Sequence, residues 1–337
     1  MTPSGGPPGS DPRRLLLVSP PPRLVSEATE AGFRVTVTGT ECFADDDTLR
    51  EHLAETGRIH RVSRLIACGE ASTRPAVLET AEHLGLSPNP AAAAPLLADP
   101  SRIRGLLTRS GPQWEAVAMP AGEEDGPLPY DVEYGVETLT AEGMHRVTGI
   151  VELRRTGTGA TAAGAAGPGG GPPGPGPAGA TPGAAGAGRE GVPVRTFPAP
   201  LTGQEEAEIR ALATGLLDLA GYEFGYACTR VARTDDGLRI VGSVAEQAKW
   251  PTSRLIELTT GLVPERELVR VLSGKPMEAP VLVGCAAAVP LPGPGAVPEG
   301  VATLAGVREV CDGHVLLTAL TPAELATRTA AVLDGLT

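Results

Sequence analysis

The residues best suited to chemistry sit in GYACTRVARTDDGLRIVGSVAEQ, residues 225–247, where a thiol, guanidinium groups and a carboxylate alternate along the chain. Two alternating runs flank Asp235-Asp236-Gly237, a pattern that predicts a β-hairpin. A three-residue turn with Gly237 left-handed pairs Thr234 with Leu238. On that register Arg230 faces Gly242, Cys228 faces Val244 and Tyr226 faces Glu246 across one surface. Arg230 and Glu246 are then placed to form an ion pair on that surface. Cys228 is a nucleophile by type, but a reactive thiolate needs a base and a cationic setting. The five histidines (His52, His60, His83, His145 and His314) are scattered, so Cys228 reads as a buried, inert thiol. Glu133 and Glu137 belong to the residue class used for proton transfer and hard metal ions, and alone they read as structural or solvated carboxylates. Lys249 begins a Lys-Trp-Pro loop after the hairpin and reads as a surface residue.

The elements that must position these groups follow a regular pattern. LLLVS (15–19), FRVTVT (33–38) and RVSRLIACG (61–69) read as strands. They alternate with helices at 26–32, 45–56 and 75–86, the second opening on three aspartates that suit a helix N-terminus. Short β and α segments in alternation imply a parallel sheet covered by helices. A helix follows from Thr202, where Glu205 completes a capping box. Two more helices are expected at 253–261 and 264–274, and a last one from Thr321 with Pro322 and Glu324. Residues 156–191, almost entirely Gly, Ala, Pro and Thr, bury too little apolar surface to offset ordering entropy and read as a linker or loop. The acidic AGEEDG at 121–126 reads as a solvated turn.

Composition narrows the function classes. The chain has 337 residues, enough for more than one domain. A net charge of −12 argues against sequence-independent nucleic-acid binding. With 3% aromatic residues, a base-stacking platform is also unsupported. SPPPR, not a glycine-rich turn, follows the first strand, so no dinucleotide fingerprint is present. The five cysteines include no CxxC pair, which speaks against a zinc site or a disulfide framework. No apolar run reaches the ~20 residues of a membrane span, and a cytoplasmic location is expected. Only Lys249 and Lys275 are lysines, so no lysine is available to hold phosphate in the first 248 residues.

In their order and spacing these segments resemble the ATP-grasp superfamily, in particular its carboxylate–amine ligases. The resemblance rests on Glu70 and GLSPNP (85–90), then on DPSRIRGLLTRSG (99–111), where Arg104, Leu107 and Gly111 match an R-x-x-L-x-x-x-G helix. It continues through EYGVETLTAEGMHRVTGIVE (133–152) and the stretch from PAPLTG (198–203) through the hairpin. It implies an α/β and α+β protein: a Rossmann-like pre-ATP-grasp domain at 14–111 after a disordered tail (1–13), a lobe remnant at 112–155, a linker at 156–193, and a second, antiparallel lobe with a C-terminal subdomain at 194–337.

The same resemblance shows what is altered. Pro100 stands where the family has a lysine, and residues 112–132 are too few for the small lobe that covers the triphosphate. The hairpin keeps Gly225, Thr234 and Gly237, but Cys228, Arg230, Gly242, Val244 and Glu246 occupy the positions where the family places its His, two Glu, Asn and Arg. Magnesium needs hard oxygen ligands, and a cation in their place repels it. The expectation is therefore a degenerate, non-catalytic accessory or interaction protein with no cofactor and no metal site. Its partner would be an intact ligase or another pathway enzyme, with neither nucleic acid nor membrane bound. Glu133, Glu137, Arg230, Glu246 and Lys249 would line any residual cleft. Two alternatives stay open: an active ligase using ATP and magnesium in an atypical site, and a nucleotide-independent small-molecule binder.

Overall fold

The computed structural model describes residues 13–336 except 42, 69–73, 121–131, 157–190, 294–297 and 299. Most of the tail, the Gly/Ala/Pro linker, Glu70 and the acidic turn at 121–126 lie outside the described residues. The chain opens with β1 (Arg14–Val18), α1 (Pro22–Glu30), β2 (Arg34–Thr38), α2 (Asp46–Ile59), β3 (Arg64–Ala67) and α3 (Arg74–His83). The strands form a parallel sheet in the order β2-β1-β3, as the alternation predicts. Helix α1 begins earlier than the expected residue 26, because Pro22 occupies a first-turn position where no amide donor is needed. Asp45 caps α2 by accepting from the Thr48 amide at 2.8 Å. Leu16, Leu49, Leu53, Leu65 and Val77 pack between β1, β3, α2 and α3 as one core.

Three short helices lead out of this unit: α4 (Ala93–Leu97), α5 (Pro100–Arg109) and α6 (Pro112–Glu115). A second, larger sheet then takes over, built from β4 (Val132–Ala141), β5 (Met144–Thr156), β6 (Val192–Phe197), β7 (Phe224–Thr234) and β8 (Gly237–Val244), with α7 (Gly203–Leu219) between β6 and β7. Helices α8 (Thr252–Thr260) and α9 (Pro264–Leu272) follow, then β9 (Cys285–Pro290), β10 (Val307–Cys311), β11 (His314–Ala319) and α10 (Pro322–Leu336). The eight strands run in the order β10-β11-β9-β6-β5-β4-β7-β8, and all their pairings are antiparallel. β4 and β5 are central strands, so residues 132–156 and those after 191 share one sheet. The last three strands were not anticipated; AAAV and VLLT are short apolar runs that periodicity alone does not assign.

The capping box at Thr202 and Glu205 forms as predicted. One sheet face packs on α7 through Tyr134, Val136, Ile150, Ile209 and Val231. The other packs on α8 through Val151, Phe197, Leu255, Ile256 and Ala288. On that second face, toward β7, Leu139, Phe224 and Tyr226 meet Leu24 of α1 and Val269 and Leu272 of α9. The two sheets thus share a core. Asn89 fastens the junction, accepting from the Glu223 and Phe224 amides at 2.8 Å each and donating to the Phe224 carbonyl at 2.7 Å.

Candidate functional site

β7 and β8 form the predicted hairpin, but with a different turn. Thr234 pairs with Gly237 and Arg233 with Leu238, so the turn has two residues, Asp235 and Asp236. Gly237, at φ 113°, takes a backbone conformation that side chains rarely allow. A bulge at Val241 then restores the register, and Arg230 faces Gly242 and Cys228 faces Val244 as expected. The strand ends at Val244, so Tyr226 and Glu246 are not a ladder pair.

On the other side of β7 lies β4, with Glu137 opposite Cys228, Gly135 opposite Arg230 and Glu133 opposite Ala232. Alternation puts Glu133, Gly135, Glu137, Cys228 and Arg230 on one sheet face. Arg230 thus has a glycine as cross-strand neighbour on each side, which leaves its guanidinium room to fold over. Expected to pair with Glu246, Arg230 instead donates from Nε to Glu133 Oε1 at 2.7 Å and from Nη2 to Glu133 Oε2 at 2.8 Å. This two-pronged geometry is the strong form of an arginine–carboxylate contact. The Glu133 side chain is 10% exposed and that of Arg230 45%. Arg195, opposite Leu153 on β6 and close enough to feel Glu133, has its own pKa lowered by burial.

Glu137 is more deeply enclosed. Its Oε2 accepts from the Ala248 amide at 3.1 Å, while Oε1 is buried with no hydrogen-bond partner. Burial pushes the carboxyl up to about 7, only partly offset by the Ala248 amide and the Cys228 thiol. Burial raises the Cys228 thiol well above its ordinary range, and the nearby Glu137 raises it further. An unreactive thiol is the result, as the sequence suggests.

The remaining sequence-derived positions are spread around this face. Glu246 lies past the end of β8, and Lys249 Nζ approaches its carboxylate at 3.4 Å from an 85% exposed side chain. Val244 is exposed, and a side chain at Gly242 would meet nothing within 4 Å. Pro100 begins α5 and is exposed, at the edge of a narrow seam that Ile103, Arg104, Leu107, Met119 and Ile240 also line. The Ile240 amide donates to the Val117 carbonyl at 2.8 Å, fastening residues 116–119 along the β8 edge. Among the described residues, no group of three or more His, Cys, Asp or Glu is arranged to hold a metal ion.

Fold comparison now adds what these residues alone do not state. Over 96% of this chain and 97% of the other, the structure is similar to an L-amino acid ligase from Bacillus licheniformis, with a TM-score of 0.67 at 15% identity. The chain has the ATP-grasp fold. N5-carboxyaminoimidazole ribonucleotide synthetase from Thermotoga maritima superimposes with a TM-score of 0.63 at 11% identity, covering 96% of this chain and 98% of that one. A glycinamide-RNase-transformylase T from Mycobacterium tuberculosis gives 0.61 at 16% identity, covering 96% and 100%. No protein-family model and no curated protein matches the sequence.

The ATP-grasp scaffold also contains a cavity of about 270 Å³ that sequence reasoning missed. It lies outside the carboxyl ends of β1 and β3, where open parallel sheets commonly bind ligands. The hairpin side contributes Tyr222, Phe224 and Tyr226, and the loop after β8 contributes Glu246, Gln247 and Lys249. Helix α9 adds Glu265. Only the i, i+2, i+4 spacing of the three aromatics was visible beforehand, and nothing in the sequence says which elements face them. No helix of the described residues is long and apolar enough to cross a membrane.

Proposed function

We propose that this protein is a non-catalytic member of the ATP-grasp fold group, retaining the ligase scaffold without its metal–nucleotide chemistry. The observation that carries this reading is the Arg230–Glu133 pair. The hairpin face that in the family presents carboxylates to magnesium here presents a guanidinium, and that cation occupies both oxygens of the nearest carboxylate. A magnesium ion would have to displace an arginine from a carboxylate that is 10% exposed, and would still lack the oxygens absent at Gly242 and Val244. Glu137 is no substitute, since its carboxyl keeps a proton up to about pH 7 and has one oxygen on the Ala248 amide. The residues therefore do not fit a magnesium–ATP complex. Pro100 supports the same reading in one respect only, because an uncharged side chain stands where the resemblance implies a lysine.

On this reading the protein acts as an accessory or interaction module beside an intact ligase or another enzyme of the same pathway. Incubating the full chain with MgATP, a panel of carboxylic acids and a panel of amines tests the catalytic half. No release of ADP, AMP or phosphate above buffer is expected, and substrate-dependent release contradicts the reading.

A further inference from the structure

The chain has only four Phe, four Tyr and two Trp, yet Tyr222, Phe224 and Tyr226 all line this cavity. The remainder of its wall is largely aliphatic, with Leu24, Ile66 and Leu268 among the contacts. Two carboxylates face the same space. Glu246 has a side chain only 20% exposed, whereas the Lys249 that approaches it is 85% exposed at the rim. Glu265, in the first turn of α9, is half-buried and makes no hydrogen bond or ion pair among the described residues. Burial pushes the Tyr226 hydroxyl well above its ordinary value, and the negative charge of Glu137, Glu267 and Glu265 adds to the rise. The aromatic wall already attracts one cation: the Arg64 guanidinium, outside the lining, sits 5.5 Å from the Phe224 ring centre.

We propose that this cavity is a receptor for a small organic ammonium ion with an apolar body. The aromatic faces and the Glu246 and Glu265 carboxylates take the cationic head, and the aliphatic wall takes the rest. The resemblance implies an arginine at Glu246, so the sign of the charge recognised here is inverted relative to a carboxylate-binding cleft. The inference goes beyond the proposed function and does not depend on it, because recognition of an ammonium ion requires neither ATP nor metal.

Calorimetric titration of the full chain, without nucleotide, tests it with three probes: phenethylammonium, its N-trimethyl quaternary analogue, and 3-phenylpropionate. Both cations are expected to bind saturably, at least about tenfold tighter than the carboxylate. The quaternary ion cannot be acylated, so its binding reports recognition and not acceptor chemistry. Glu265→Gln, which breaks no contact among the described residues, is expected to weaken both cations about tenfold with an unchanged melting temperature. Glu55→Gln on the exposed face of α2 is expected to leave them unchanged. Absence of saturable cation binding overturns the proposal, as does carboxylate binding of equal strength. So does wild-type affinity in both Glu265→Gln and Glu246→Gln.

Discussion

Arg230→Ala removes the two-pronged partner of Glu133 and leaves a carboxylate whose side chain is only 10% exposed, set between β5 and β7. Removing one member of a fully buried pair costs about 3–5 kcal/mol. Here the Arg230 side chain is 45% exposed, so water screens part of the interaction, and the half-buried Arg195 still attracts Glu133. The expected loss is therefore about 1–3 kcal/mol, or roughly 2–6 °C in melting temperature. Arg230→Met with Glu133→Leu removes both charges and is expected to recover most of the loss. Urea denaturation of the two variants, with the cycle closed by Glu133→Leu, separates pairing from packing. A single Arg230→Ala variant within about 0.5 kcal/mol of wild type would refute the reasoning, because the pair would then behave like an ordinary surface contact.

Other outcomes follow from the same geometry. The Glu137 carboxyl keeps its proton up to about pH 7 in the folded state, against an ordinary value of 4.5. Its contribution to stability is then complete below about pH 4.5 and is lost as pH rises through about 7. Glu137→Gln should gain roughly 1–3 kcal/mol over wild type at alkaline pH compared with acidic pH; an equal difference at both pH values contradicts this. Asn89→Ala leaves two β7-side amides and the Phe224 carbonyl without their partner and should cost about 2–3 kcal/mol in chemical denaturation. Asn89→Asp, which keeps the acceptor, should cost less, and a reversed order would speak against the clasp. Iodoacetamide should label the exposed Cys311 in the native protein, the half-buried Cys228 much more slowly because its thiol is held protonated, and the buried Cys285 only after denaturation; native labelling of Cys228 at the Cys311 rate would count against its raised pKa.

How far the sequence could be read depends on how local each feature is. The β-α alternation of the first 86 residues, the acidic start of α2 and the Thr202–Glu205 box rest on short-range periodicity, charge at a helix N-terminus and capping chemistry, and all appear in the structure. The hairpin was legible in outline, but its register was reached for the wrong reason. The turn is one residue shorter than expected, and a bulge at Val241 compensates, a feature with no local sequence mark. The Arg230 partner was missed because Glu133 comes from a strand 97 residues away, while the hairpin alone offered Glu246. The cavity was illegible for the same reason: its walls come from β3, α1, β7 and α9, and pairing between such distant segments leaves no period to read. Strands β9 and β11 carry short, uniformly apolar runs buried on both faces, which do not differ by pattern from helix fragments.

The central claim is that the hairpin face has lost its affinity for metal-bound nucleotide because a guanidinium occupies the carboxylate there. Isothermal titration of the full chain with ATP, in the presence and absence of magnesium, tests it most directly. No magnesium-dependent heat is expected from the wild-type protein up to millimolar nucleotide, since the Arg230 guanidinium holds both oxygens of Glu133. Saturable, magnesium-dependent binding by the wild-type protein at micromolar nucleotide would contradict the account.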